Sequence, residues 1–325
     1  MSNGDVINRL AEKVLASQEI TQDEARELGR LEGSDLYQLF AAASKIRDLR
    51  AGKKVDLCSI INAKSGACSE NCKYCAQSVH HQTDVDVYDL LDEASIMQRA
   101  IKMELEGAKR YALVTSGRGI SEANFVKTLG IYRRLARETD LKLCASLGII
   151  TRDMARRLKE AGVTRYHHNL ETSESYFPQI CTTHSYQERI STIKSCQAAG
   201  LEICSGGIIS LGETMDQRVE MAFALKELKV QSVPINILSP IVGTPLGNQP
   251  VLPPLEILQT IAIYRFILPE ARLRFAGGRE SALRNMQAMG YLAGINATLV
   301  GSYLTTSGRT VAEDIQMILD MGLEV

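Results

Sequence analysis

The sequence alternates short apolar runs with longer stretches of helical periodicity from Lys54 onward, and this alternation constrains the fold more than any other feature. Apolar runs that alternate with helical stretches indicate parallel strands, because a parallel connection needs a crossover, usually a helix. Eight such runs are present: Val55–Ile61, Arg110–Thr115, Leu141–Leu147, Arg165–Leu170, Glu202–Ile209, Ser232–Leu238, Arg272–Ala276 and Thr298–Gly301. Eight units in about 250 residues predict a complete (β/α)8 barrel of the TIM type, with a doubly wound open sheet as the alternative.

Residues 1–53 precede the repeat and have a helical pattern of their own. Thr21 and Glu24 have the spacing of a capping box, which predicts that a helical block begins there and runs to Arg50. No low-complexity stretch or linker follows it. We therefore predict that residues 1–53 form helices that pack on the outside of a barrel formed by residues 54–325.

The charge balance and the cysteine content narrow the possible functions. The formal net charge of −1 over 325 residues gives no electrostatic reason to expect nucleic acid or an anionic membrane as a partner. No apolar run approaches the roughly 20 residues of a membrane span, and the N-terminal residues lack the apolar core of a signal peptide. We therefore expect a cytoplasmic protein. Its eight cysteines are then expected to be metal ligands, reactive thiols or core residues rather than disulfides.

Three cysteines follow the first predicted strand in the pattern Cys-x3-Cys-x2-Cys, at Cys68, Cys72 and Cys75. In a barrel this is the position of an active-site loop, after the carboxyl end of a strand. Three thiolates so close in sequence can converge on one soft metal centre. A structural zinc ion would need a fourth protein ligand, so a zinc loop is the weaker alternative. Three ligands suit a 4Fe–4S cluster with one iron left open for a small molecule.

This cysteine spacing is typical of radical S-adenosylmethionine (SAM) enzymes, and Tyr74 before the last cysteine also fits them. Further segments resemble the biotin synthase family over nearly the whole chain beyond the N-terminal helices: Ile60–Ser78, Tyr166–Ser173, Thr182–Arg189, Cys204–Thr214, Val233–Asn236, Arg274–Glu280 and Leu304–Thr306. The resemblance implies a SAM-binding barrel, usually homodimeric, that acts as a sulfurtransferase and converts dethiobiotin to biotin.

The resemblance also implies the cofactors and their chemistry. The reduced 4Fe–4S cluster splits SAM into methionine and a 5′-deoxyadenosyl radical, which takes hydrogen from an unactivated C–H bond. A second iron–sulfur cluster, a 2Fe–2S cluster in the family, then gives up a sulfide to the carbon radical. The implied partners are an electron donor such as flavodoxin or ferredoxin and the iron–sulfur assembly proteins that rebuild the second cluster. The protein positions the reacting atoms and excludes water.

Four residues are expected to contact SAM by resemblance: Tyr74, Asn169, Glu171 and Arg189. Asn169 and Glu171 match a pair near the ribose, where the family more often has aspartate in place of Glu171. Arg189 matches the arginine that pairs with the methionyl carboxylate, a task that suits a bidentate guanidinium. The alternatives are that Asn169 satisfies buried backbone groups and that Arg189 is an exposed helix residue.

The resemblance assigns a second set to the substrate. Asn236 matches an asparagine near the ureido ring of dethiobiotin, and Thr305 and Thr306 match hydroxyls that hold its carboxylate tail. His167 lies where the family more often has a substrate-contacting asparagine. The two threonines are also ordinary turn residues, so their alternative is a purely local role.

The ligands of the second cluster depart from the family pattern. The family uses three cysteines and an arginine from the second, third, fifth and seventh strands. Cys144, Cys204 and Arg274 match the last three, and we assign them to the catalytic sulfur-donating site, but Ala112 occupies the second-strand position. We predict that Cys58 on the first strand replaces the missing ligand, since inward side chains of alternate barrel strands share a layer.

Three cysteines and one weaker ligand suit a four-iron cluster as well as the usual 2Fe–2S type, and the alternative for Cys58 is an ordinary core cysteine. Cys181 and Cys196 match no family ligand and are interpreted as buried apolar residues. His184 receives no role.

Two other functions stay open at this point. Another radical SAM barrel, such as methylornithine synthase or a hydrogenase-maturation enzyme, generally lacks the combination of Cys144, Cys204 and Arg274. A non-catalytic iron–sulfur or zinc protein would neither bind nor cleave SAM.

Overall fold

The strands form one closed parallel barrel. The structure, a computed structural model, describes residues 2–304 and 308–325. Its strands are β1 Asp56–Lys64, β2 Arg110–Thr115, β3 Lys142–Ser146, β4 Val163–His167, β5 Glu202–Cys204, β6 Gly207–Ile209, β7 Ser232–Ile237, β8 Arg272–Phe275 and β9 Ala297–Leu299. β1 pairs with both β2 and β9, while β5 and β6 both pair with β7. β5 and β6 are therefore two halves of the fifth barrel strand. The prediction of a (β/α)8 barrel is confirmed, and the open sheet is wrong.

The predicted fifth strand, Glu202–Ile209, is interrupted because the neighbouring strand β7 contains Pro234, which lacks a backbone N–H donor. The register pairs Cys204 with Ser232 and Gly207 with Ile235, which places Gly206 opposite Pro234. Proline has no N–H for the ladder, so one hydrogen bond is missing there. A Cβ atom on Gly206 would lie 2.0 Å from the Pro234 carbonyl oxygen. The backbones approach so closely that only glycine fits.

Helices surround the barrel and also precede it. They are α1 Asn3–Leu15, α2 Gln22–Gly29, α3 Asp35–Ile46, α4 Glu93–Leu105, α5 Glu122–Glu138, α6 Arg152–Glu160, α7 Tyr186–Ala198, α8 Met215–Glu227, α9 Pro254–Ile267, α10 Arg279–Leu283, α11 Gln287–Leu292 and α12 Val311–Asp320. The capping box of Thr21 and Glu24 is present at the start of α2. The single block predicted up to Arg50 is in fact two helices, α2 and α3, followed by a π-helical turn, Arg47–Ala51.

The N-terminal helices pack against the later helices α8, α9 and α11. α3 contacts α9 and α1, while α2 contacts α8 and α9. α9 is buried on all sides because it lies between β8 on the inside and α3 on the outside, and all its residues from Ile257 to Ile267 are buried. None of the helices that the structure describes is long and apolar enough to cross a membrane.

We predict that Gly206→Ala destabilises the barrel, because the new methyl group would overlap the Pro234 carbonyl, a backbone atom that cannot rotate away. Overpacking of this kind costs about 1–3 kcal/mol, and we expect the upper part of that range. Urea unfolding of the cluster-free chain, followed by circular dichroism, measures the loss. Gly130→Ala in α5 is the matched control, since a Cβ there meets open space and should stabilise by about 0.5–1 kcal/mol. Equal stability of the two variants would contradict the close approach.

Candidate active site at the carboxyl end of the barrel

Two adjoining cavities lie in the barrel and above the carboxyl ends of its strands. The larger, about 400 Å³, extends into the barrel interior. The smaller, about 160 Å³, lies beside the loop that joins β1 to α4. Both are lined by Ser146, His167, Asn169 and Glu171, which therefore mark the junction between them. This end of a TIM-type barrel is where active sites are found.

The three cysteines of the loop surround this junction. Cys68 and Cys72 line the smaller cavity and Cys75 lines the larger one. Backbone hydrogen bonds fix the loop: Cys68 N–H donates to the Gln77 carbonyl at 2.9 Å, and Cys75 N–H donates to the Cys72 carbonyl at 3.0 Å. The loop therefore holds its three thiols in place through its own backbone.

The loop thiols are too widely spaced for a single ion. In the described part of the chain, the only His, Cys, Asp or Glu ligand atoms that lie within 4.8 Å of one another in a group of three or more belong to Cys72, Cys181 and His184. Cys68 and Cys75 are outside that group, whereas ligands of one tetrahedral zinc lie only about 3.5–4 Å apart. The spacing does not fit the zinc loop, and the donor set of three thiols suits a larger thiolate-ligated cluster.

The expected SAM-binding residues converge beside the smaller cavity. Arg189 Nη1 donates to the Asn169 carbonyl at 2.9 Å and to Glu171 Oε1 at 3.3 Å. Asn169 Oδ1 accepts from Gly206 N–H at 3.2 Å, so its side chain also satisfies buried backbone, as the alternative proposed. Arg189 is only 7% exposed, which excludes the alternative of a surface residue. Glu171 has a φ of 73°, a left-handed conformation that is uncommon outside glycine and is often found at functional sites.

The register of the strands places the deeper set in one layer. Cys58 is paired through Arg110 with Lys142 on β3, two residues before Cys144. The same shift of two residues leads from Cys144 to Cys204, from Cys204 to Arg274 and from Arg274 back to Cys58. This is the stagger of an eight-stranded barrel of shear 8. Cys58, Cys144, Cys204 and Arg274 therefore form one layer, and all four line the larger cavity.

The thiols of this layer interact with one another and with their surroundings. A hydrogen bond from the Cys144 thiol lowers the pKa of Cys58 to about 7, although burial opposes it. Burial raises the pKa of Cys204. The His167 side chain and the Arg274 guanidinium outweigh this effect and lower the pKa to about 6. Ala112 on β2 is paired with Cys144 on β3. Because neighbouring strands are offset by one residue, Ala112 lies one layer nearer the carboxyl ends than Cys144, in the layer of His167. The predicted Cys58 thus lies one layer below the family's usual position.

A cluster of charged side chains lies directly beneath the thiols, and we call it the charged floor: Asp56 with Arg110, Arg165 and Arg274. Asp56 Oδ2 is 2.6 Å from Arg274 Nη2, 3.2 Å from Arg110 Nε and 3.6 Å from Arg165 Nη1. The three guanidiniums outweigh the burial of Asp56 and lower its pKa to about 2. Three buried cations around one partly buried carboxylate leave an excess of positive charge, although the more exposed Glu202 also reaches Arg165 and Arg110. Arg110 Nη1 is buried without a hydrogen-bond partner in the described residues.

This floor fits an anionic thiolate-ligated cluster above it, because unpaired buried cations need compensating negative charge. The sequence interpretation missed Asp56, Arg110 and Arg165. The available signal was the presence of charged residues at inward positions of strands that are otherwise apolar.

The residues expected to contact the substrate have different surroundings. Asn236 lines the larger cavity, donates to the Gly207 carbonyl at 3.1 Å and accepts from Gly277 N–H at 3.1 Å. One amide hydrogen and one acceptor position remain for a ligand. His167 interacts with Cys204, a contact that the sequence did not predict. Thr305 and Thr306 lie outside the described residues.

The two unassigned cysteines differ from each other. Cys196 is fully buried, as interpreted from the sequence. Cys181 is also buried, but its sulfur is 3.3 Å from His184 Nδ1 and 3.4 Å from Asn71 Oδ1, so its surroundings are polar. The interpretation of Cys181 as a purely apolar residue is therefore wrong, because the loop that holds Cys72 packs onto it.

A parallel barrel with three closely spaced cysteines on the loop after its first strand is typical of the class of radical SAM enzymes. The Radical SAM superfamily model matches residues 63–225. The model of the Biotin and Thiamin Synthesis associated domain matches residues 234–324.

Individual relatives define the family more narrowly. Biotin synthase of Heliobacterium modesticaldum is 61% identical over 98% of this chain and 98% of its own length. Biotin synthase of Pelotomaculum thermopropionicum is 58% identical over 98% of this chain and 100% of its own. The chain belongs to the biotin synthase family.

Solved structures support the fold alone. Methylornithine synthase superimposes with a TM-score of 0.82 at 18% identity, over 97% of this chain and 96% of its own. The FeFe-hydrogenase maturase of Carboxydothermus hydrogenoformans gives 0.81 at 17% identity, over 98% of this chain and 78% of its own. These are the two alternative barrels that the sequence left open, and their low identity contrasts with that of the biotin synthases.

We predict that Asp56→Asn destabilises the cluster-free chain at pH 7 by about 2–3 kcal/mol, because three buried guanidiniums lose their shared carboxylate. The folded pKa of about 2 lies below the ordinary 3.8, so the stabilisation is complete above about pH 4 and is lost as the pH falls toward 2. The difference between wild type and variant should therefore shrink over that interval in urea titrations.

Asp216→Asn is the matched control. Asp216 is exposed, and its ion pair is with a single arginine, Arg26, at the long distance of 3.7 Å. Its effect should stay below about 0.5 kcal/mol. Equal effects of the two substitutions at pH 7 would contradict the role of Asp56 in the floor.

Proposed function

We propose that this chain inserts sulfur into dethiobiotin to form biotin, as a sulfurtransferase of the radical SAM type. The observation that carries the proposal is that one continuous site joins the three-cysteine loop to a layer of three cysteines and one arginine in the barrel interior. A function that needed only SAM cleavage would not require the deeper layer. The family membership supports the same reaction.

Cys68, Cys72 and Cys75 hold a 4Fe–4S cluster in this proposal, which together with SAM supplies the means to remove hydrogen from an unactivated C–H bond. Arg189 binds the methionyl carboxylate, since its guanidinium is buried and lines the smaller cavity. Asn169 and Glu171 lie at the junction of the cavities and orient the ribose. Tyr74 lines the larger cavity beside Cys75 and closes this region to water.

Dethiobiotin occupies the larger cavity between these two groups. Asn236 offers one amide hydrogen and one acceptor to the ureido ring, while its other hydrogen bonds hold its orientation. Such prior orientation lowers the entropy cost of binding. His167 lies one layer above Cys204, where a ring N–H can donate to the substrate or to sulfur. Thr305 and Thr306 hold the carboxylate tail by family resemblance.

The second cluster is held by Cys58, Cys144 and Cys204 with Arg274. These four residues lie in one layer of the barrel, which supports them as a ligand set. Ala112, at the family's usual ligand position, has no side-chain atom that could bind a metal. Three thiolates with one weaker ligand have the same donor pattern as the three-cysteine loop, which favours a four-iron cluster over the 2Fe–2S type of the family. The arginines beneath the layer balance the charge of the thiolates.

Further parts of the proposal rest on the family and on general features of the chain. A flavodoxin or ferredoxin supplies electrons, iron–sulfur assembly proteins rebuild the second cluster, and the chain works as a homodimer in the cytoplasm. All eight cysteines are free thiols in the structure, which is the state that a reducing compartment maintains. Residues 1–53 form a helical layer on the barrel of residues 54–325, supported by the contacts of α3 with α9.

We predict that the anaerobically reconstituted chain, given dethiobiotin, SAM and a reductant, forms 5′-deoxyadenosine and biotin. Without repair the yield should not exceed about one biotin per second cluster, because the sulfur donor is consumed. Replacing Cys68, Cys72 and Cys75 by alanine should abolish both products, whereas Cys196→Ala should change neither. Chromatography with mass spectrometry measures them. Deoxyadenosine from the triple variant, or a wild-type reaction without a sulfur-containing product, would refute the assignment.

We predict that Cys58→Ala retains deoxyadenosine formation but loses the second cluster and biotin formation. Iron and sulfide analysis with Mössbauer spectra measures the cluster and its type, with Cys196→Ala as the matched buried-cysteine control. Adding Ala112→Cys to Cys58→Ala restores the family's ligand position and should recover part of the second cluster. A full second cluster in Cys58→Ala would rule out Cys58 as a ligand.

A further inference from the structure

His184 lies in a buried chain of hydrogen bonds between the three-cysteine loop and Arg189. Arg189 Nε donates to His184 Nε2 at 3.0 Å, and His184 Nδ1 contacts the Glu70 carboxylate. Glu70 belongs to the loop itself, between Cys68 and Cys72. The exposed fractions of Glu70, His184 and Arg189 are 7%, 8% and 7%. A largely buried polar connection therefore runs from the loop to the arginine along the wall of the smaller cavity.

The donor and acceptor roles along this chain are fixed by chemistry. An arginine Nε–H can only donate, so the ring nitrogen that it meets, Nε2, must carry the lone pair. In a neutral imidazole the other nitrogen then carries the proton, so Nδ1–H donates to Glu70. Both ring nitrogens of His184 are thus engaged in hydrogen bonds. The group of Cys72, Cys181 and His184 is for this reason not a metal site, although its ligand atoms lie close together.

The bond to His184 decides which part of the arginine faces the cavity. Arg189 Nη1 donates to the Asn169 carbonyl and to Glu171, and Nε donates to His184. For Nη2, no acceptor lies within hydrogen-bonding distance in the part of the chain that the structure describes. Arg189 lines the smaller cavity, so the Nη2 hydrogens are those available to an anionic ligand. Without His184, the guanidinium could turn and present its Nε edge instead.

Other contacts make the connection rigid. Thr183 Oγ1 donates to Glu70 at 2.7 Å, and the N–H groups of Thr182 and Thr183 donate to Asn71 Oδ1 at 3.0 and 3.3 Å. The loop segment 70–71 and the segment 182–184 are thereby fastened together. Arg189 lies one turn further along, on α7, which begins at Tyr186. The position of the arginine is consequently tied to that of the cysteine loop.

We propose that His184 is a positioning residue, which orients the Arg189 guanidinium for the carboxylate of SAM and fixes it relative to the three-cysteine loop. The inference deepens the proposed function and rests on it, because it takes Arg189 as the residue that binds the carboxylate. His184 itself does not touch the reacting atoms. Its contribution is to SAM affinity rather than to the chemical step.

The test compares His184→Leu, which removes both hydrogen bonds, with His184→Gln, whose single amide can accept from Arg189 and donate to Glu70. In the reconstituted enzyme, His184→Leu should raise the Kd for SAM at least about tenfold, as expected for loss of a charge-assisted hydrogen bond. KM should rise more than kcat falls. His184→Gln should stay within about threefold of wild type, since it restores the same bonds. His80→Leu, at an exposed histidine of the same loop, should leave SAM binding unchanged.

The readouts are equilibrium dialysis with labelled SAM, the change that SAM causes in the electron paramagnetic resonance spectrum of the reduced cluster, and iron and sulfide content. Full cluster content with weakened binding in His184→Leu, rescued in His184→Gln, supports the proposal. Unchanged SAM binding in His184→Leu, loss of the cluster itself, or failure of His184→Gln to restore binding would each overturn it. Arg189→Leu separates this from the parent assignment: unchanged SAM binding in that variant would reject the role of Arg189.

Discussion

The stagger of the barrel strands is the constraint on which the interior site depends. Each step of two strands around the barrel shifts the register by two residues, so side chains from alternate strands meet at one level. Cys58 and Arg274 are more than two hundred residues apart in sequence, yet the pairings of β8 and β1 with β9 bring them into the same layer. A one-residue slip of any strand would turn its inward side chains outward. The chemistry therefore relies on backbone pairing that involves no cofactor.

The charged floor beneath the cysteines has an energetic consequence. A buried guanidinium without a partner is strongly destabilising, and three of them here share one fully engaged carboxylate, with Glu202 as a more exposed second partner. The positive charge of this arrangement is not fully neutralised unless negative charge is present in the layer above it. Cys58 and Cys204 in the layer above can supply part of that charge, since their pKa values are lowered to about 7 and about 6. The floor thus couples folding of the barrel interior to the ionisation of its cysteines, and it favours ligands that stay anionic.

The sequence was sufficient for the fold and for the positions of most candidate residues, because these depend on periodicity and local motifs. Alternating apolar runs located all eight barrel strands, and the spacing of Cys68, Cys72 and Cys75 located the loop. The interruption at Gly206 was missed because it depends on Pro234 of a neighbouring strand. Asp56 and Arg165 were missed as a pair because their contact joins distant strands. The role of His184 was also out of reach, since it follows from which donor meets which ring nitrogen.

The division of the site between a loop and a set of strands explains how its ligands can vary. The three-cysteine loop is held by its own backbone hydrogen bonds and by its contacts with segment 182–184, and in the proposed site its cysteines must keep their spacing to stay on one cluster. The proposed deeper ligands lie on strands whose inward positions are equivalent by symmetry of the barrel, so a ligand position can move to another strand without changing the fold. Ala112 and Cys58 illustrate this: the first lies in the layer of His167, and the second in the layer of Cys144. In the proposed site, the move places three cysteines and the backbone of Arg274 at one depth rather than two, with the Arg274 guanidinium extending down to Asp56. In the proposed function, the loop fixes where the reaction begins, whereas the layer of Cys58, Cys144, Cys204 and Arg274 fixes how far the sulfur donor lies from it.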